Sequence, residues 1–77
     1  MESEPARYDL RGLKCPLPVL KARKRLAAMP VGTRLWVETT DPLACLDIPA
    51  FCAEDGHRLV KSDAFEGGHR FLIERIG

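Results

Sequence analysis

Residues 17–39, LPVLKARKRLAAMPVGTRLWVET, change from a helical to a strand pattern and set the topology of the chain. The segment from Leu17 to Met29 predicts an amphipathic helix, because at about 100° per residue one arc collects the apolar residues Val19, Leu20, Ala22, Leu26, Ala27 and Met29. Arg23 is the exception among the basic residues of this helix, because its angle lies within the apolar arc. Pro30 then ends the helix. From Thr33 to Thr39 polar and apolar residues alternate, which predicts a half-buried strand.

A second helix is expected after Asp41 and Pro42, which supply a helix cap and a proline for the first turn. Pro49, however, would remove a hydrogen bond from the interior of a continuous helix, at a cost of about 3 kcal/mol. We therefore expect a short turn at residues 42–46, followed by a new helix start that Asp47 caps.

The remaining patterns complete the order β-α-β-α-β-β. We expect a short strand at 8–10 and two further strands at 57–62 and 69–76, joined by a longer hairpin loop that contains Gly67. Residues 71–73 are apolar on both faces, which favours a central strand. A β-α-β start implies a parallel first pair, and two helices can cover one face of four strands. The expected fold class is α+β, a two-layer α/β sandwich with a four-stranded mixed sheet and two helices on one face.

Length and charge limit the classes of function. Seventy-seven residues suffice for one domain, and we expect residues 1–7 to be a flexible N-terminal tail and residues 8–77 to form that domain. The 12 basic and 11 acidic side chains give a net charge of +1, which excludes a general electrostatic affinity for nucleic acid or membranes. We therefore expect no stable nucleic-acid binding and no membrane association.

Cysteine usage favours a cytoplasmic protein with reduced thiols. Three cysteines are an odd number and too few for the disulfide framework of a small secreted protein. The N-terminal residues do not resemble a secretion signal, and no apolar run reaches the roughly 20 residues that span a bilayer. The histidines and cysteines lack the spacing of metal ligands, so we expect no metal and no cofactor. A lone small domain with a transient docking role is expected to be a monomer.

The residue that points most clearly to chemistry is Cys15, which lies where the chain enters the first helix. A helix N-terminus carries positive partial charge, and Lys14 and Arg11 add positive charge nearby. We therefore expect the pKa of the Cys15 thiol to lie below the free value of about 8.5. Pro16 and Pro18 fix the backbone angle φ near about −65°, which predicts a rigid platform that presents one sulfur.

Two sequence blocks carry a resemblance to a known family. Residues 8–21, YDLRGLKCPLPVLK, resemble the signature of the TusA/SirA-like sulfur-carrier family, and residues 47–57, DIPAFCAEDGH, resemble its second block. The likeness extends over residues 8–76. It implies a sulfurtransferase in which Cys15 accepts a sulfane sulfur as a persulfide and relays it to an acceptor protein. The donor in this family is often a cysteine desulfurase, and its branches serve tRNA 2-thiolation, molybdenum-cofactor sulfur supply or sulfur oxidation.

Charged residues near Cys15 complete the candidate site. The residues expected to shape the site are Asp9, Arg11, Gly12, Lys14, Pro16 and Pro18. The basic cluster Lys21, Arg23, Lys24 and Arg25 is either a solvated helix face or a docking surface for acidic partners. Asp9 is expected either to cap the turn at Gly12 or to hold Arg11. Arg23 is expected to pair with a carboxylate such as Asp9 or Asp47.

A non-catalytic interaction module is the alternative function. Such a module would bind protein or RNA through the partly open sheet face around Trp36, or through the basic helix, and Cys15 would then be structural. Dithiol redox exchange is disfavoured, because no second cysteine lies near Cys15 in the sequence. Cys52 shares a predicted helix face with Ile48 and Phe51, so we expect it in the core.

Overall fold

The computed structural model describes residues 5–76, so most of the expected N-terminal tail, residues 1–4, lies outside the described residues. The elements are β1 (Ala6–Asp9), α1 (Leu17–Ala27), β2 (Arg34–Thr39), α2 (Ala44–Asp55), β3 (Arg58–Phe65) and β4 (Gly68–Glu74). The sheet order is β1-β2-β4-β3, with β1 parallel to β2 and the other pairs antiparallel. This arrangement confirms the α+β fold class, the parallel first pair and the central position of β4.

The core lies between the two helices and one face of the sheet. Alternate residues of β2 and β4 point inward, as the strand pattern predicted. They form one buried cluster with side chains from both helices: Leu35, Val37, Phe71 and Ile73 from the sheet, Ala22 and Leu26 from α1, and Ile48 and Phe51 from α2. Burial of each large side chain in this cluster contributes about 1.5–3 kcal/mol. Both helices therefore cover the same face, and their N-terminal ends carry the candidate site.

Strand β1 begins earlier than the sequence indicated. The expected strand began at Tyr8, but Ala6 and Arg7 already pair with Leu35 and Trp36 of β2. Strand pairing is made by backbone groups, so it does not require an alternating side-chain pattern. Residues 6 and 7, which were expected in the tail, therefore belong to the sheet.

Helix α1 ends at Ala27, two residues before the expected boundary at Met29. The guanidinium of Arg75 donates hydrogen bonds to the carbonyls of Leu26, Ala27 and Met29. The Leu26 carbonyl also accepts the N–H of Met29 at 3.1 Å. Carbonyls at a helix C-terminus lack the regular partner four residues further on, and a positive charge is favourable at this end of the helix dipole. Arg75, which directly follows β4, thus connects the C-terminal end of α1 to the end of the sheet.

Helix α2 is continuous, so the expected interruption at residues 42–46 is wrong. The N–H of Asp47 donates to the carbonyl of Leu43 at 2.9 Å, as in a regular helix, and Asp47 is therefore not a cap. Pro49 lies inside the helix. The lost hydrogen bond is tolerated because this helix buries a row of apolar side chains against the sheet. Gly56 ends α2 in the left-handed conformation, with φ of 76°.

The outer face of the sheet is less open than expected. Leu72 is only 5% exposed, and the guanidinium of Arg70 lies 5.2 Å from the ring centroid of Trp36, which is half-buried. Ion pairs flank this contact, Arg34 with Glu74 at 3.6 Å and Arg7 with Glu38 at 3.9 Å. Charged side chains therefore cover the apolar residues of this face.

In the described part of the chain, neither α1 nor α2 has the length and apolar character of a membrane-spanning helix.

The β3–β4 hairpin is tighter than predicted. β3 continues to Phe65, which pairs with Gly68, so only Glu66 and Gly67 form the turn. Gly67 has a φ of 87°, a conformation that glycine adopts without steric penalty. A Cβ atom on Gly68 would lie 2.2 Å from the carbonyl oxygen of Thr39, so glycine is required where β4 approaches the end of β2.

We expect Gly68→Ala to lower the free energy of unfolding by about 1–3 kcal/mol, because the added methyl group overlaps a backbone oxygen that cannot move freely. Urea denaturation measures this change. The control is Glu66→Ala in the same turn, where the exposed side chain predicts a change within about 0.5 kcal/mol. Equal stability of Gly68→Ala and the wild type would contradict the close approach of β4 to β2.

Candidate functional site

Cys15 lies in the loop between β1 and α1, and its side chain is exposed. Pro16 is the N-cap of α1, Pro18 occupies the first turn, and the Cys15–Pro16 peptide is cis. The N–H of Leu17 donates to the carbonyl of Lys14 at 2.8 Å. Because prolines have no N–H, few backbone donors remain in this first turn for an anion beside Cys15. The sulfur therefore stands next to a helix start with few free backbone N–H groups.

The Cys15 loop, residues 10–16, is tied to the loop that connects β2 to α2. The N–H of Cys15 donates to Oδ2 of Asp41 at 2.7 Å, and the N–H of Gly12 donates to Oγ1 of Thr40 at 2.8 Å. The other carboxylate oxygen of Asp41 accepts the N–H of Leu43 at 3.3 Å. Hydrogen bonds to an ionised carboxylate are stronger than neutral ones, so this contact fixes the backbone of the sulfur-bearing residue.

Asp9 holds Arg11, which resolves the two alternatives left by the sequence. The Arg11 side chain donates to both oxygens of Asp9, at 2.8 and 2.9 Å, and the Arg11 N–H donates at 3.0 Å. These bonds, chiefly those of the side chain, lower the pKa of Asp9 to about 2. The turn at Gly12 is satisfied by Thr40 instead. The charge of Arg11 is therefore compensated locally.

The thiol of Cys15 donates a hydrogen bond to Oδ2 of Asp47, with the sulfur and oxygen 3.1 Å apart. This hydrogen bond is the main cause of a raised pKa at Cys15, with burial and the negative charges of Asp47 and Asp41 acting in the same direction. The expectation of a lowered pKa is therefore wrong for the isolated protein. Local sequence patterns cannot place α2, which brings a carboxylate from 32 residues away to the sulfur.

An open groove of about 270 Å³ extends from Cys15 between α1 and α2. Its floor includes Val19 and Phe51, and its charged walls are Asp47, Glu54 and Arg23. The groove thus combines an apolar floor with one exposed sulfur at its end. A partner side chain can approach Cys15 along it.

The basic cluster of α1 is divided by contacts within the protein. Arg23 pairs with Asp55 at 3.2 Å and Glu54 at 3.7 Å, and its guanidinium lies 5.2 Å from the ring centroid of Phe51. The expected pairing with Asp9 or Asp47 is therefore wrong. Arg23 lies on the side of α1 that faces α2, and its partners are therefore residues of α2.

The other three basic residues of the cluster differ in their surroundings. Arg25 lies over the ring of Tyr8, 3.9 Å from its centroid. Lys21 and Lys24 are exposed on the opposite arc of the helix. These two lysines are the members of the cluster best placed to meet a partner.

The remaining cysteines have different environments. Cys52 is 2% exposed, and burial, with a smaller effect of Asp55, raises the pKa of its thiol to about 11. Cys45 is half-buried, and all three cysteines are free thiols. Within residues 5–76, no group of three or more histidine, cysteine, aspartate or glutamate side chains is arranged to hold a metal ion. Cys15 is thus the cysteine with the most accessible sulfur.

Comparisons with known proteins place these features in a family context. Residues 6–75 match the family described as sulfurtransferase TusA. The chain is 43% identical over 67 residues to the sulfur carrier protein TusA of Allochromatium vinosum, covering 87% of this chain and 88% of that protein. It is 42% identical over 66 residues to putative sulfur carrier proteins from Neisseria meningitidis serogroups A and B, covering 86% of this chain and 89% of each.

The environments of the three thiols predict the order in which they react. Iodoacetamide at neutral pH should modify Cys15 first and Cys52 last. The rate at Cys15 should keep rising beyond the pH at which the rate of an unfolded control peptide levels off, because the hydrogen bond to Asp47 raises the pKa of the thiol. Peptide mapping by mass spectrometry measures the order and the rates. A peptide of residues 13–19 is the control, and a Cys15 rate that levels off at lower pH than the peptide's would contradict the role of Asp47.

Proposed function

The chain belongs to the TusA sulfurtransferase family, and we propose that it carries a sulfane sulfur as a persulfide on Cys15 between a donor protein and an acceptor protein. The observation that carries this proposal is the exposed sulfur of Cys15 at the end of an open groove, on a loop tied by Asp41. Transfer between proteins needs a sulfur that a partner's cysteine can reach. It also needs a backbone that keeps that sulfur in a fixed position.

In the loading step, the Cys15 thiolate attacks the outer sulfur of a cysteine persulfide on the donor. A bond forms between the Cys15 sulfur and this outer sulfur, and the sulfur–sulfur bond of the donor breaks. The bonding electron pair leaves with the donor cysteine, which takes up the proton that Cys15 has lost. No net oxidation or reduction occurs, so the step requires no cofactor.

In the delivery step, a cysteine thiolate of the acceptor attacks the outer sulfur carried on Cys15. The acceptor gains the persulfide, and Cys15 leaves with the electron pair and recovers a proton. The identity of the acceptor decides whether the sulfur enters tRNA thiolation, molybdenum-cofactor synthesis or sulfur oxidation.

The environments of the cysteines support sulfur relay over dithiol exchange. A dithiol mechanism requires a second thiol that can form a disulfide with the first. Cys52 is buried in the core, and Cys45 packs against the core from α2. Cys15 is hydrogen-bonded to a carboxylate rather than to a thiol.

We assign docking of the donor, a cysteine desulfurase or a related protein, to the groove and its surroundings. Lys21 and Lys24 are exposed on α1 and offer positive charge to an acidic partner surface, which favours fast and oriented association. We propose that the carrier works as a monomer in the cytoplasm, where thiols remain reduced. The alternative interaction module has less support, because Arg70 and ion pairs cover the sheet face around Trp36.

The carrier proposal predicts that incubation with a cysteine desulfurase and free cysteine adds one sulfur atom to the intact protein, because Cys15 accepts the persulfide. Intact mass spectrometry under non-reducing conditions measures the gain. Cys15→Ser should abolish it.

Cys45→Ser and Cys52→Ser are the matched controls for that experiment, since each removes a thiol and leaves Cys15 in place. Both should retain the added sulfur. An unchanged mass of the wild-type protein, or loss of the gain in Cys52→Ser alone, would contradict the assignment to Cys15.

A further inference from the structure

We propose that Asp47 positions Cys15 differently in its two states: it holds the unloaded thiol in the groove and repels the sulfur-loaded side chain out of it. This inference rests on the proposed persulfide on Cys15 and assigns a function to a residue of α2. The carboxylate of Asp47 is half-buried, whereas the side chain of Cys15 is exposed. Of the two groups, Cys15 is therefore the one with space to move.

The unloaded state is defined by the hydrogen bond from the Cys15 thiol to Asp47, at 3.1 Å. An ionised carboxylate can only accept hydrogen bonds, so this contact exists only while the thiol keeps its proton. The thiolate is the form that reacts with oxidants and electrophiles. Asp47 therefore keeps the waiting sulfur both oriented and slow to react.

Loading removes the basis of this contact. In a persulfide the sulfur bonded to Cβ carries no hydrogen, so it cannot donate to Asp47. The outer sulfur of a persulfide is more acidic than a thiol and is anionic near neutral pH. An anion beside a carboxylate is repelled, and the loaded side chain consequently turns towards solvent, where an acceptor's thiolate can reach it.

The charged side chains that line the groove or contact Cys15 are three carboxylates and one guanidinium. Asp47 and Glu54 face the groove from α2, and Asp41 contacts the backbone of Cys15 from the β2–α2 loop. Arg23 of α1 lines the same groove, but its guanidinium is paired with acidic residues at the far end of α2. Asp47 differs from Asp41 and Glu54 because, among the described residues, only its carboxylate is hydrogen-bonded to the Cys15 sulfur.

The test compares Asp47→Asn with the wild type in both states. Asp47→Asn keeps the size of the side chain and removes its charge. In the unloaded protein, we expect the rate of Cys15 alkylation at pH 7 to rise roughly threefold or more, and its pH profile to move to lower pH. Both proteins also carry Cys45→Ser and Cys52→Ser, so that Cys15 is the one thiol that can be alkylated. Neither of these substitutions changes a residue that contacts Cys15.

For the loaded state, both proteins are charged with inorganic polysulfide, and sulfur release to dithiothreitol is followed. We expect release from Asp47→Asn to be about threefold slower or more, because the outer sulfur is no longer repelled from the groove. Asp63→Asn is the matched control, since it makes the same change from carboxylate to amide on β3, where Asp63 pairs with Arg70 and does not line the groove. It should change either rate by less than about twofold.

An unchanged pH profile of alkylation or an unchanged rate of sulfur release in a folded Asp47→Asn protein would overturn the inference, as would an equal shift in Asp63→Asn. Asp47→Ala provides a second variant with the same expected direction, and circular dichroism reports folding. These measurements use a small-molecule sulfur source. Failure of transfer from a desulfurase would therefore count against the proposed function and leave the result for Asp47 intact.

Discussion

The arrangement of the site depends on the two hydrogen bonds that the Asp41 carboxylate accepts. One of its oxygens accepts the N–H of Cys15, and the other accepts the N–H of Leu43, just before α2. A single side chain thus connects the segments that precede the two helices, although Asp41 and Cys15 are 26 residues apart in the sequence. This tie brings the Cys15 sulfur to Asp47 and opens the groove between α1 and α2.

The electrostatics of the site depend on which carboxylates the nearby arginines pair with. Arg11 is bound by Asp9, and Arg23 is bound by acidic residues of α2, so neither is placed to stabilise a thiolate at Cys15. The prolines of the first turn of α1 remove the backbone donors that usually make a helix start attractive to anions. In the isolated protein the sulfur faces carboxylates instead. A carrier whose thiol keeps its proton is protected from oxidation while it waits for a partner.

Local sequence patterns predicted the fold because each element carries its own signal. The alternation in β2, the apolar arc of α1 and the doubly apolar segment 71–73 each specify an element and the face that it buries. Pro49 misled the prediction of α2, since burial of neighbouring side chains outweighs one missing hydrogen bond. The position of Cys15 before a helix and its exposure were likewise predictable from its flanking prolines.

The surroundings of Cys15 were not predictable in the same way. The contacts of Cys15 with Asp41 and Asp47, and of Arg23 with Asp55, join segments that are distant in the sequence. A local sequence pattern cannot predict which carboxylate will contact Cys15 or Arg23 once the two helices have packed. The sign of the pKa shift at Cys15 depends on those contacts, and its prediction from the neighbouring residues in the sequence therefore failed.

The most direct measurement of the proposed carrier is a crystal structure of the protein after loading with sulfur. We expect one additional sulfur atom bonded to Sγ of Cys15, turned towards solvent and out of contact with Asp47. An added sulfur on Cys45 or Cys52 would contradict the assignment of the carrier residue. An outer sulfur that remains within hydrogen-bond distance of the Asp47 carboxylate would contradict the proposed repulsion.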